Sequence, residues 1–394
     1  MNLINEGSLN KMKGFKNVNI YVEGKGVIKG DIAFDNGKIK LNANAQIEEI
    51  ALLSDDYVIA PGFIDEHIHG AGGYDAMDGT FEALSVIANK IASEGTTTFL
   101  ATTMTQSVEN ISKALKAVNE YISANVCTGA KLFGVHLEGP FISLKFIGAQ
   151  PEQYVANPDI EVFKKYNEIS GNNIKIVSLA PEVEGATNLI KYLKENGIVA
   201  SVGHSSSKYA DLSNGIENGI TNVTHTYNAQ SPLHHRDIGV VGTALLDDRL
   251  NCELICDTIH VSVPAIKLVI KNKPSDKVTL ITDSMRAKHM EDGVSELGGQ
   301  TVYVKNGEAR LSDGTLAGSV LKMNVAVKNL VEKVGVSFTD AIDMATINPA
   351  KNLKIDNTVG SIKDGKNADI VVLNAKTFDV YMTIRNGEII YKNN

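Results

Sequence analysis

APGFIDEHIHG, residues 60–70, reads as a buried strand running into glycine, and it carries His67 and His69 one residue apart. Side chains on a strand alternate faces, so residues i and i+2 point the same way. The two imidazoles are therefore expected to enter one space at the end of the strand and to grip one cation. A lone histidine on an apolar strand is more often a hydrogen-bonded core residue. The pair becomes a site only if other ligating side chains reach the same level.

Seven further apolar runs rich in β-branched residues follow: TTTFLATT, LFGVHLEG, KIVSLAPE, IVASVGH, ITNVTHTYN, CELICDTIH and VTLITDS. Between most of them lie amphipathic stretches such as FEALSVIANKIASEG and VENISKALKAVNEYISA, apolar at helical spacing and ending in Gly or a polar turn. Eight such units predict an α/β fold, a parallel (β/α)8 TIM-like barrel, whose usual length matches this middle segment. A doubly wound open sheet is the alternative. Eight repeats and the lack of a G-x-G-x-x-G turn count against it.

Glu138 ends the third run, His204 the fifth, His225 the sixth and Asp283 the eighth, while His260 follows the seventh. In a parallel barrel all strand C-termini meet at one mouth, where active sites are built. Buried there without a cation, these groups would leave polar atoms unpaired. Imidazole and carboxylate together suit a divalent transition metal: zinc or iron, with manganese or cobalt also compatible, but not calcium. Six donors are too many for one tetrahedral ion with an open position, so two ions per subunit are expected. His67, His69 and Asp283 are assigned to one, His204 and His225 to the other, and Glu138 to a bridge. A bridging lysine on the fourth strand is ruled out, since Lys175 stands at its wrong end.

From about Phe15 to Ile59 the chain shows short β-like runs broken by Gly and Asn, with a DNG hairpin signal. The tail repeats the pattern in ADIVVLN and VYMTIRNGEIIY. The expectation is one small β-sandwich domain built from both termini, residues 1–59 and 360–394, with the barrel, residues 60–359, inserted between them.

A net charge of -8 with no basic run argues against nucleic-acid or anionic-membrane partners, while a phosphorylated small molecule stays compatible. Three cysteines make no disulfide framework; the bland reading of Cys252 and Cys256 is small core residues. The polar start MNLINEGSLN lacks a signal pattern, and no run is long enough to span a bilayer, so a cytoplasmic location is expected.

Through PGFIDEHIHG, HLEGPFIS, GAQP, VGHS, THTYNAQSPLHHR, DTIHV, LITDSMRA, DGTLAGS, INPA and GSIKDGKNADIVVLN, nearly the whole chain resembles the amidohydrolase superfamily. HLEGP and the THTYNA segment point to its branch that deacetylates hexosamine 6-phosphates. The resemblance implies hydrolysis of an N-acetyl group, with glucosamine as the expected sugar in amino-sugar catabolism or recycling. The galactosamine epimer or another N-acyl substrate is left open. It implies that Asp283 is the catalytic acid/base and that His260 holds the sugar and helps polarise the acetyl carbonyl. Asn228, Ala229 and the backbone near Ala149 would contact the sugar phosphate. Leu316, Ala317 and Gly318 would wall the acetyl group. Arg236 would bind the phosphate across a homodimer, from the neighbouring subunit. Some relatives replace the His-x-His and run on one metal; this chain keeps both histidines. Some carry His where Gln150 stands.

The chemistry is consistent with that reading. A divalent ion pulls the pKa of a bound water towards about 7, and the resulting hydroxide would attack the acetyl carbonyl. Asp283 would move the proton to the amide nitrogen, because an amide anion does not leave. A barrel that had lost catalysis for an assembly role would have lost ligands, and all six stand here. His234 and His235 are read as polar-loop residues and His289 as a solvated one. The charges and glycine of residues 284–300 suit a mobile loop closing over the site.

Overall fold

The computed structural model describes residues 11–41 and 46–393. The N-terminal stretch MNLINEGSLN, residues 42–45 and Asn394 lie outside the described residues, and with them part of the expected terminal domain.

Eight parallel strands form the body: β1 (Phe63–Ile68), β2 (Thr96–Thr102), β3 (Lys131–Glu138), β4 (Ile174–Leu179), β5 (Val199–Val202), β6 (Ile220–Val223), β7 (Asn251–Ile255) and β8 (Val278–Ile281). They pair in chain order. The ring closes between β8 and β1 through individual bonds. The Asp283 N–H donates to the His67 carbonyl at 2.8 Å, and the His69 and Gly70 N–H groups both donate to the Ser284 carbonyl at 2.9 Å. The Thr282 hydroxyl donates to Asp65 Oδ2 at 2.6 Å. The closure that aligns β1 with β8 thus brings the His67–His69 pair beside Asp283.

Alternation along the strands divides the barrel into two chemistries. Val177, Leu179, Ala200, Val202, Val223, Leu254 and Leu280 pack outward with the helices in the main core. Their alternates Ser178, Ser201, Asn222, Glu253 and Thr279 are buried and bond to one another or to neighbours across the interior. Below them Ile64, Leu100, Ile176 and Val199 close the bottom with Leu353 and Val359. The usual barrel interior is filled by branched apolar residues. Here an apolar base carries a polar layer, and the site stands on that layer.

The surrounding helices follow their sequence signals. Val108–Ser123 starts at Ser107, whose hydroxyl accepts from the Asn110 N–H at 3.2 Å. It buries Ile111, Ala114, Leu115 and Val118, a face at i, i+3, i+4 and i+7.

The two ends of the chain meet in a second, mixed sheet, ordered Glu388–Lys392, Val380–Arg385, Ile370–Asn374, Tyr57–Pro61, Met12–Val22, Gly26–Asp35 and Lys38–Leu41, with Ile47–Glu49 on Met12–Val22. Its faces also alternate. Val58, Ala60, Val371 and Leu373 pack on the barrel core, and Ile59, Ile370 and Val372 line the sheet's own core with Phe15, Ile20 and Ile32.

The segment after β8, expected from its charges to be a loop, makes buried contacts. Lys288 is wholly buried with its ammonium 3.1 Å from Glu94, and His289 donates to the same carboxylate at 2.7 Å. His289 is therefore an anchored residue rather than a solvated one. Arg286 reaches Asp78 at 2.9 Å and Glu296 at 3.1 Å. Gly293–Leu297, Gln300–Lys305 and Glu308–Arg310 form a three-stranded sheet packed on Met104 and Met285. Ion pairs distant in sequence and a small core of its own hold this cap in place. Cys252 and Cys256 are buried, as read, and no helix among the described residues is long and apolar enough to cross a membrane.

Candidate metal centre and active site

The strand ends bring six side chains to one point. Glu138 Oε1 lies 3.0 Å from both His204 Nε2 and His225 Nε2, whose nitrogens are 3.1 Å apart. Glu138 Oε2 lies 3.2 Å from His69 Nε2, and Asp283 Oδ1 is 3.2 Å from that same nitrogen. His67 Nε2 faces Asp283 at 3.5 Å and Glu138 at 3.7 Å. One carboxylate therefore spans two pairs of imidazoles. Among the described residues three buried donor groups satisfy metal spacing: His67–His69–Glu138 and Glu138–His204–His225 at this point, and His67–His136–Glu253 on the far side of the His67 ring.

The backbone aims three of the donors. His204, His225 and Asp283 each stand two residues past a strand end with positive φ, 47°, 30° and 47°. A non-glycine residue there costs of order 1–3 kcal/mol and is retained where the surroundings over-determine it. The left-handed corner turns each side chain from the strand direction toward the barrel axis. Gly203 permits one such corner: a Cβ there would lie 2.8 Å from Thr224 Cβ.

Electrostatics show what the cluster requires. Burial opposes a charge on His67 and His69, yet the adjacent Asp283 and Glu138 carboxylates prevail and raise both imidazoles, His69 to about 10. Burial alone would raise Asp283, but His67 and His69 hold it down to about 2. Glu138 is likewise held well below the ordinary range, against its burial, by His67 and by the hydrogen bonds of His204 and His225. The two carboxylates demand positive charge. Protons on the imidazoles supply it in one state, and divalent cations held by neutral imidazoles can supply it in another. His67 Nε2, buried and, among the described residues, without a hydrogen-bond partner, suits the second state. The donor set fits zinc or iron.

Above the donors lies a cavity of about 230 Å³. His69, Glu138, His204, His225 and Asp283 line its base, and Ala149, Asn228, Ala229, His260, Leu316 and Gly318 its walls. The remaining three site residues expected from sequence lie elsewhere. His67 sits behind the lining, Ala317 is buried against Met104 and Met285, and Arg236 is exposed on the 231–238 loop with His234 and His235. Among the described lining residues there is no lysine or arginine.

Several supporting contacts were not expected from the sequence. Glu253, inside β7, accepts from His67 Nδ1 at 3.0 Å. Asp257 accepts from His260 Nδ1 at 2.6 Å and from the His260 N–H at 2.8 Å, which turns Nε2 of His260 away from this partner. Gln150 donates to Glu138 Oε2 at 3.0 Å and accepts from the Thr105 N–H at 2.7 Å. The backbone carbonyls of Thr102 and Phe146 face Nδ1 of His69 and His204 at 3.3 and 3.0 Å. Only an acid within the apolar run CELI, and an acid three residues before His260, could have signalled the first two.

Residues 58–390 match the model of the amidohydrolase family. The chain is 44% identical over 383 residues to an N-acetylglucosamine-6-phosphate deacetylase of Bacillus subtilis (strain 168), covering 95% of this chain and 96% of that one. It is 36% identical over 321 residues to an N-acetylgalactosamine-6-phosphate deacetylase of Escherichia coli O157:H7, covering 82% and 85%. The crystal structure of N-acetylglucosamine-6-phosphate deacetylase from Thermotoga maritima superposes with a TM-score of 0.87 at 36% identity, covering 96% of this chain and all of that one.

Proposed function

The chain belongs to the amidohydrolase family, and from that premise we propose that it hydrolyses the N-acetyl group of N-acetylglucosamine 6-phosphate. The products are acetate and glucosamine 6-phosphate, and the setting is amino-sugar catabolism or recycling. The observation that carries the reading is the convergence of four imidazoles and two carboxylates beneath a cavity of single-sugar scale.

His67, His69 and Asp283 would hold one divalent ion and His204 and His225 a second, with Glu138 between them. Bound there, such ions make a water nucleophilic near neutral pH and polarise a carbonyl oxygen. The chain's own groups do the rest. Asp283, ionised at neutral pH, accepts the proton of the attacking water and passes it to the amide nitrogen as the C–N bond breaks. His260, oriented by Asp257, faces the cavity and steadies the oxygen of the acetyl group; such a donor is typically worth about 3 kcal/mol. Leu316 and Gly318 wall the acetyl group, with Ala317 supporting them from the core. Asn228, Ala229 and the backbone at Ala149 receive the sugar phosphate.

The cavity lining offers that phosphate no lysine or arginine among its described residues. This supports a homodimer in which the exposed Arg236 reaches the phosphate of the neighbouring subunit. The galactosamine epimer is a second reading, favoured by the 36% identity to the Escherichia coli relative.

The deciding experiment is metal analysis of the purified protein beside acetate release from the two epimeric hexosamine phosphates. Bound transition metal with faster release from the glucosamine compound supports the proposal. Absence of release from either compound by metal-loaded protein refutes it.

A further inference from the structure

Glu253 lies on β7, wholly buried, in the polar layer beneath the six donors. Its Oε2 accepts from His67 Nδ1 at 3.0 Å and from the His225 backbone N–H at 3.1 Å. Its Oε1 accepts from Asn222 Nδ2 at 3.1 Å. One carboxylate oxygen thus touches a side chain of one donor group and the main chain of the other.

Two consequences follow from hydrogen-bond chemistry. An ionised carboxylate has no proton to give. Whenever the His67 ring is neutral its proton is therefore on Nδ1, which leaves a lone pair on Nε2, the atom facing Asp283 and Glu138. The same oxygen holds the N–H of His225 inside its left-handed corner, where the ring is aimed at Glu138. Asn222 holds the carboxylate in turn; its oxygen accepts from Asn251 Nδ2 at 2.8 Å. The whole chain of bonds runs across β6, β7 and β8 and contacts no substrate surface.

We propose that Glu253 is a positioning residue that ties the two ion positions together, presenting His67 as an Nε2 ligand and fixing the corner from which His225 reaches the other ion. The inference rests on the metal-dependent reading above and deepens it. Outer carboxylates that orient a ligating histidine are typically worth 10–100-fold in metal affinity. Because the ring bond is to His67, the ion held by His67 and His69 is the one more strongly weakened by loss of Glu253.

The test needs no turnover. Full-length protein is stripped by chelator and titrated with Zn²⁺ against a chromophoric competitor. Glu253→Gln keeps the length and an acceptor for His67 but removes the charge. Two ions bound by the unmutated chain, with one dissociation constant raised about 10–100-fold in Glu253→Gln, support the proposal. Unchanged constants for both ions overturn it. A second measurement uses the unmutated chain alone. With ¹⁵N-labelled histidine and bound ¹¹³Cd²⁺, coupling to His67 Nε2 with a proton retained on Nδ1 supports the assignment, and coupling to Nδ1 overturns it. This second measurement decides the matter if the variant does not fold. Ions bound in this way by a chain that releases no acetate would uphold the role of Glu253 while refuting the deacetylase reading.

Discussion

Asp283→Asn separates proton transfer from folding. The side chain sits at a left-handed corner with φ 47°, a conformation in which asparagine is as much at home as aspartate. The two differ by one oxygen against one NH₂, and the Asp283 N–H that bonds the His67 carbonyl is untouched. The fold is therefore expected to survive. The substitution removes a carboxylate, held down to about 2, whose Oδ1 is 3.2 Å from His69 Nε2 and 3.5 Å from His67 Nε2. An amide neither accepts the proton of an attacking water nor delivers it to the departing amine. A positioned acid/base contributes about 10²–10⁴-fold, or roughly 3–5 kcal/mol of barrier. Turnover of the variant is expected to fall by that factor. The assay is acetate release under saturating metal, with bound metal quantified on the same sample so that loss of a ligand is not mistaken for loss of a base. Full turnover with metal bound would refute the assignment of Asp283.

Metal-free protein should lose stability as pH rises from about 6.5 through about 10, because His69 is raised from its ordinary 6.5 to about 10 and its stabilising proton is fully in place only below 6.5. It should also lose stability as pH falls from about 4 toward 2, where Asp283, lowered from 3.8 to about 2, is protonated. Thermal melts with and without metal check both limbs; the alkaline loss should vanish on metal loading, since metal affinity grows as imidazoles deprotonate. Arg236→Ala should raise KM for the phosphorylated sugar by about 10–100-fold, the scale of a charge-assisted hydrogen bond, with little change in kcat; an unchanged KM would misplace the phosphate site. Asp257→Ala frees the His260 ring and should lower kcat by about 10-fold, the loss of roughly one hydrogen bond's alignment, without changing metal content. Gly203→Ala forces a Cβ within 2.8 Å of Thr224 and should destabilise the protein by about 1–3 kcal/mol in denaturant unfolding.

The barrel strands were legible because each apolar run stops at a polar residue, and the polar residue at the stop is the one that reaches the mouth. Glu138, His204, His225 and Asp283 are of this kind, and His67 and His69 flank Ile68, the last residue of β1. Glu253 was not legible for the complementary reason: it lies within a run, where period-two alternation hides one inward acid among apolar neighbours. The serine and asparagine layer around it reads locally as ordinary strand. The anchoring of the cap after β8 was not legible, because its charges look solvated in sequence. Their partners, Glu94 for Lys288 and Asp78 for Arg286, lie about two hundred residues away, and local composition carries no trace of them. The left-handed corners were invisible too, since histidine and aspartate do not announce positive φ as glycine does.

Those corners limit how the centre can be re-engineered. A designer who wants a softer donor, a cysteine at His204 or a glutamate at Asp283, must ask whether the replacement can occupy that backbone before asking what metal it would prefer. Histidine, asparagine and aspartate are the side chains enriched there. Chain geometry therefore narrows the coordination chemistries this scaffold could support, and redesign is more readily begun at donors free of a left-handed corner, His67 and Glu138 within their strands and His69 just beyond β1.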